Sequence, residues 1–264
     1  MSSPTITPYR TSIPDSSLSL LTTKLATTTF PPETTFTDNW DYGASLTSLK
    51  RLVSYWKNGF DWRTQEKMLN EKLPQFMTTV EVEGFGELEI HFVHQKSEER
   101  ESIPLLFCHG WPGSFLEVIK ILPLLTRKDG DGPSFHVVAP SLPNFGFSEG
   151  PKKPGFGIPQ YAEAMHKVML NLGYDKYVTQ GGDWGFEITR TIGIKYPHHC
   201  LASHLNYIEI PPLYSPHPNH PVLPLFPQPR RKSRPRTHKL VPNPRLRLQH
   251  PAIHPATHAR LPFV

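Results

Sequence analysis

Apolar residues recur at helical spacing through the first quarter of the chain. Leu18, Leu21 and Leu25 share one face behind Pro14-Asp15-Ser16-Ser17, which opens a helix with Asp15 or a neighbouring serine as cap, and Pro31-Pro32 stops it. Leu46, Leu49, Leu52, Val53 and Trp56 recur at three and four, predicting a second helix over Ser45–Lys57. Trp62, Met68 and Leu69 predict a third. Such stripes are expected in the core. The period then changes from 3.6 to 2. Val80 and Val82, then Leu88, Ile90 and Phe92, alternate with polar residues around Gly84-Phe85-Gly86, a hairpin signal.

From there short apolar runs alternate with helical patterns. Strands are expected at Ile103–Phe107, Phe135–Ala139, Lys176–Thr179 and Leu201–Ile208, with helices over Phe115–Leu125, Gln160–Leu172 and Phe186–Tyr196. Strands alternating with helices imply a mostly parallel sheet covered by helices on both faces, the α/β class. No internal repeat is visible. After Ile210 periodicity stops, and prolines recur every few residues. That segment is expected to be disordered, because it cannot bury enough apolar surface to offset chain entropy.

Composition sharpens this boundary. The chain has 264 residues, 30 prolines and a net charge of +5. The 54 residues from Pro211 onward carry 14 of the prolines, nine Lys/Arg, six His and no Gly, Asp or Glu. The preceding 210 hold 19 basic and 23 acidic residues, a net of −4, so the average charge describes neither part. The expected organisation is an N-terminal helical region at 1–76, an α/β core at 77–210 and a Pro/Arg/His-rich tail at 211–264. No run of about 18 apolar residues predicts a membrane span, and no secretory signal opens the sequence. Cys108 and Cys200 fit neither a disulfide framework nor a common zinc pattern, which points to a reduced, cytoplasmic setting.

The chemistry concentrates in Gln180-Gly181-Gly182-Asp183-Trp184-Gly185. This is the layout of a nucleophile elbow: a strand, a small residue, one spacer, the nucleophile, one spacer, a small residue, then a helix. Gly181 and Gly185 are the small residues that the sharp turn demands. Asp183 stands at the nucleophile position, and a carboxylate needs no base to activate it near neutral pH. It can attack an sp³ carbon and form a covalent alkyl ester. A second motif, Phe107-Cys108-His109-Gly110-Trp111-Pro112-Gly113-Ser114, joins a strand to a helix. In an elbow-type hydrolase such a loop supplies one oxyanion-hole N–H, and the residue after the nucleophile supplies the other. Those residues are Trp111 and Trp184. Each motif alone also reads as a tight glycine turn.

Together with Pro140-Ser141-Leu142-Pro143-Asn144-Phe145-Gly146-Phe147-Ser148, these motifs resemble the microsomal-type epoxide hydrolases of the α/β-hydrolase superfamily, the soluble fungal members most closely. Phe60-Asp61-Trp62-Arg63, Leu73-Pro74-Gln75-Phe76 and His91-Phe92-Val93-His94 resemble that family's N-terminal region. The resemblance covers about Thr5 to Pro212. It implies an α/β-hydrolase fold and hydrolysis of a small-molecule epoxide to a diol through an aspartyl ester, with no metal and no organic cofactor. Asp183 would be the nucleophile, Trp111 and Trp184 the oxyanion hole, and His109 a buried structural residue. Haloalkane dehalogenases share an Asp-Trp elbow, but they carry a polar residue where this chain has Trp111 and lack the N-terminal region.

The family pattern stops after the sixth strand, where a lid with two tyrosines, an acid and the general-base histidine would follow. Only Tyr214 follows Pro212, and no Asp or Glu follows Glu209, which leaves the base and its acid unassigned. The expectation is a nucleophile without its hydrolytic base. The alternative is a non-catalytic protein whose basic cluster Arg230-Arg231-Lys232-Ser233-Arg234-Pro235-Arg236 binds an acidic partner. Specific nucleic-acid binding is not expected, because the basic half of the tail has one aromatic, Phe263, for stacking. Whether the chain forms a homodimer stays open.

Overall fold

A computed structural model describes residues 5–99, 101–127 and 132–208. The chain divides into the units Met1–Pro211 and Pro212–Val264, and everything described belongs to the first. The expectations for the tail, Glu209, Tyr214 and the Arg230–Arg236 cluster lie outside the described residues.

Seven strands form one mixed sheet: β1 (Ile6–Tyr9), β2 (Gln75–Val82), β3 (Gly86–Gln95), β4 (Ile103–Cys108), β5 (Phe135–Pro140), β6 (Tyr177–Gly181) and β7 (Cys200–Leu205). Their order is β1-β2-β3-β5-β4-β6-β7. Pairing is antiparallel from β1 to β5 and parallel through β5, β4, β6 and β7. The hairpin forms where the alternation places it. Val80, Val82, Leu88 and Ile90 are buried, while Glu81, Glu83, Glu87 and Glu89 face solvent. Gly84 and Gly86 take φ of 78° and 86° in the turn, a region that residues with a Cβ avoid. β4 is buried over Leu105–Cys108, as a central strand covered on both faces must be.

α5 (Ile158–Asn171) and α6 (Trp184–Lys195) follow the sequence expectation to within two residues at each end. They enclose one core with the sheet, built on Met165, Met169, Tyr177, Ile188 and Ile192. The continuous helix expected over Phe115–Leu125 is instead a 3-10 turn at Phe115–Val118 followed by α4 (Leu122–Leu125). Pro123 is the reason. It lacks an N–H for the carbonyl four residues back and is tolerated only in a first turn, where it sits in α4.

The N-terminal region differs most from expectation. α1 (Asp15–Ala26) ends well before Pro31, and Pro14 occupies its N-cap without a side-chain bond, so neither Asp15 nor a serine caps it. In α2 (Leu46–Asn58), Ser45 caps as its type suggests, accepting from the Ser48 N–H. The stripes on these helices are not core. α1 buries no residue and α2 only Leu46, with Leu52 and Trp56 exposed. These helices pack on each other, and neither gives a residue to the two core clusters among the described residues. β1 carried no usable signal, being four residues long and containing Pro8, which an edge strand tolerates.

Buried polar bonds hold this region to the core. His91 in β3 is fully buried; its Nε2–H donates to Gln75 Oε1 at 3.0 Å, and its Nδ1 accepts from the Ser141 hydroxyl at 2.9 Å. The Thr11 hydroxyl donates to the same Gln75 oxygen at 3.0 Å, and the Thr11 N–H donates to Asn70 of α3 (Trp62–Lys72) at 2.8 Å. Burial lowers the pKa of His91, His94 and His166 to about 4. In the unfolded chain these side chains take up a proton near pH 6.5, in the folded chain only near 4. Acid therefore favours unfolding across that window. Stability measured by urea unfolding of the full chain should fall as pH drops from about 6.5 toward 4, with part of the slope lost in His91→Gln. A flat profile would exclude this account.

Candidate active site

The elbow between β6 and α6 is built from close backbone contacts. A Cβ on Gly185 would overlap the Cys108 carbonyl oxygen at the end of β4, and one on Gly181 would overlap the Gly185 carbonyl oxygen. Only glycine lets α6 begin this near the two strand ends. The turn forces Asp183 to φ 54° and ψ −127°, a conformation costing a non-glycine residue of order 1–3 kcal/mol. Its carboxylate is lifted off the sheet onto an exposed ledge.

The loop after β4 meets that ledge. A Cβ at Gly110 would stand 2.8 Å from Asp183 Oδ1, so the backbone there lies directly against the carboxylate. The next amide, the Trp111 N–H, donates to Asp183 Oδ1 at 2.7 Å. No hydrogen bond to Asp183 Oδ2 occurs among the described residues, which leaves that oxygen for an incoming carbon. Trp184 is the first residue of α6, and its ring stacks edge-on against Tyr161 at 5.6 Å. Asp183, Trp111, Gly110, Gln180, Asn206 and Glu117 are among the residues lining one open cleft of about 480 Å³.

Two neighbours are unsuited to chemistry. Burial pushes the Cys108 thiol far up from its usual range, so it stays protonated. His109 is buried with both ring nitrogens engaged. Nδ1–H donates to the Gly110 carbonyl at 2.9 Å, and Nε2 accepts from the Leu142 N–H at 3.1 Å. Burial lowers its pKa, and the ring ties the Trp111 loop to the loop after β5. Among the described residues no histidine lines the cleft.

Sequence reasoning passed over three wall residues. Glu117 is signalled by Ser114-x-x-Glu117, the spacing of a helix capping box, with Ser114 at the N-cap of the 3-10 turn. Gln180 opens the elbow run but is given no role by it, and Asn206 carries no motif. They meet because β6 and β7 pair in parallel, and the Gln180 amide donates to Asn206 Oδ1 at 3.0 Å.

Comparison with known families places the fold. Residues 6–118 match the family described as epoxide hydrolase N terminus, and residues 103–250 match the alpha/beta hydrolase fold family. The chain belongs to the α/β-hydrolase fold family, with an epoxide hydrolase N terminus. The chain is 44% identical over 173 residues to epoxide hydrolase 1 of Sus scrofa, covering 62% of the chain and 37% of that protein. It is 38% identical over 203 residues to juvenile hormone epoxide hydrolase 2 of Ctenocephalides felis, covering 75% of the chain and 42% of that protein. The Aspergillus niger epoxide hydrolase structure superposes with a TM-score of 0.69 at 36% identity, over 79% of this chain and 54% of that one. The chain thus spans less than half the length of these curated relatives. Among the described residues no helix is long and apolar enough to cross a membrane.

The elbow geometry has a measurable consequence. Gly185→Ala should destabilise the protein by several kcal/mol, of order 3 or more, since backbone and not a flexible side chain must move. Asp183→Gly should instead stabilise it by about 1 kcal/mol by releasing the positive φ. Urea unfolding of both variants checks the pair, and equal effects of the same sign would refute the strained-elbow description.

Proposed function

We propose that this chain acts on small-molecule epoxides, with Asp183 as nucleophile. Asp183 Oδ2 attacks an epoxide carbon, the C–O bond of the ring breaks, and the ring oxygen takes a proton from solvent or an acid to become a hydroxyl. The product is a β-hydroxyalkyl ester of Asp183. Water then adds to the ester carbonyl carbon, a base takes its proton, and the acyl C–O bond breaks to release a vicinal diol. The carbonyl oxygen in this second step is Oδ1, where charge develops. The Trp111 N–H already donates to that atom at 2.7 Å, and the Trp184 N–H at the start of α6 is the second donor in this reading. The observation that carries the proposal is this single arrangement of a strained elbow carboxylate with one oxygen bound and the other without a hydrogen bond among the described residues.

The described residues favour the first half-reaction over the second. A general base must stand within hydrogen-bond reach of its water, and no histidine lines the cleft among the described residues. Glu209, the last acidic residue in the sequence, lies outside the described residues. We therefore propose that the ester forms faster than it hydrolyses.

Incubating the full chain with a terminal epoxide should add the mass of one epoxide per chain, localised to the Asp183 peptide and absent in Asp183→Ala, with little diol released. Rapid diol release dependent on Asp183 would overturn the slow second step but keep the nucleophile. Neither adduct nor diol from folded protein would sink the function.

A further inference from the structure

The loop that carries the Trp111 amide is clamped between two carboxylates. On one side Gly110 lies against Asp183 Oδ1, as described above. On the other side a Cβ at Gly113 would overlap Glu117 Oε1, so the Glu117 carboxylate folds back directly over the Gly113 backbone. Glu117 is the third residue after Ser114, whose hydroxyl accepts from the Leu116 N–H at 3.3 Å. Both carboxylates, Gly110 and Gly113 line the same cleft. Burial raises the Glu117 pKa; the Gly110 and Ser114 N–H groups act in the opposite sense, and the like charge of Asp183 adds to the rise.

The Trp111 side chain is in no position to fix its own amide. Trp111 is 66% exposed, and no aromatic stacking holds its ring among the described residues. The loop must therefore be held at its two ends. His109 holds the first through the Gly110 carbonyl. The second end is Gly113-Ser114, and the side chain resting on it is Glu117.

We propose that Glu117 is a positioning residue whose carboxylate holds the Gly110–Ser114 turn so that the Trp111 N–H stays directed at Asp183 Oδ1. It touches no reacting atom in this role; it acts through Trp111. The inference rests on Asp183 being the nucleophile for its effect on rate, but the effect on the Trp111 amide is independent of that reading.

The test uses the full chain labelled with ¹⁵N-tryptophan, which gives five backbone amide resonances, and assigns Trp111 by the resonance missing in Trp111→Phe. Glu117→Asp keeps the charge but withdraws it by one methylene. It should move the Trp111 amide resonance while leaving the other tryptophans in place, and slow alkylation by a terminal epoxide about tenfold at saturating epoxide. The half-saturating epoxide concentration should be unchanged. Glu117→Gln keeps the reach and one acceptor oxygen, and should stay near the wild type in both measurements. An unmoved Trp111 amide in Glu117→Asp would overturn the proposal, as would a Gln variant displaced as far as the Asp variant. If the wild type does not alkylate, the nucleophile reading fails, and the Trp111 resonance alone still decides the role of Glu117.

Discussion

The site depends on one contact, the Gly185 backbone lying against the Cys108 carbonyl. It brings the first turn of α6 to the end of β4, two elements more than 70 residues apart in sequence. Every other feature of the site is a consequence of that approach. The Trp111 amide can reach Asp183 only because the chain leaving β4 passes beside the elbow. The Asp183 carboxylate stands clear of the sheet only because the turn between Gly181 and Gly185 is too tight for an ordinary backbone. The strain at Asp183 is small against the burial of Ile188 and Ile192 on the same helix, which pull α6 onto the core. A helix anchored by its apolar face can hold its N-cap residue in a conformation that residue would not choose.

His91 and His109 serve this molecule as neutral, buried connectors. His91 joins β3 to the N-terminal segment and to the loop after β5, and His109 joins that same loop to the Trp111 turn. Each uses one ring nitrogen as donor and the other as acceptor, a pairing that only the neutral ring offers. The Ser148 hydroxyl adds to this brace, accepting from the His91 N–H at 2.9 Å and donating to the Ser141 carbonyl at 2.7 Å. The epoxide hydrolase N terminus is thus wired to the loops around the elbow through buried polar bonds, where leaving one partner unpaired would be costly.

The alternation around Gly84 and the apolar runs at β4, β5 and β6 were legible because each strand buries the positions that its period selects. The stripes on α1 and α2 were equally periodic and misled, since periodicity shows that a helix has an apolar face but not what lies beneath it. Pro123 was visible in the sequence, yet the longer helix was expected because the flanking leucines kept its period. β1 was too short to have a period at all. Within the site, Asp183, Gly181 and Gly185 were readable because sterics permit few residue types in a strand-to-helix elbow. Glu117 was readable in principle from its capping spacing, whereas Gln180 and Asn206 were not, because their meeting depends on strand register.

The sequence by itself determined the order of elements, the identity of the elbow residues and the change in composition at Pro211, since each rests on local sterics, period or residue counts. Only the tertiary structure decided that the Trp111 amide donates to Asp183, that His109 is locked by two backbone groups, and that Glu117 and Asp183 share one cleft wall. Those facts are distances between residues remote in the chain. They follow from which strands lie side by side and how closely two glycines allow their backbones to approach, and no local pattern encodes a separation of that kind.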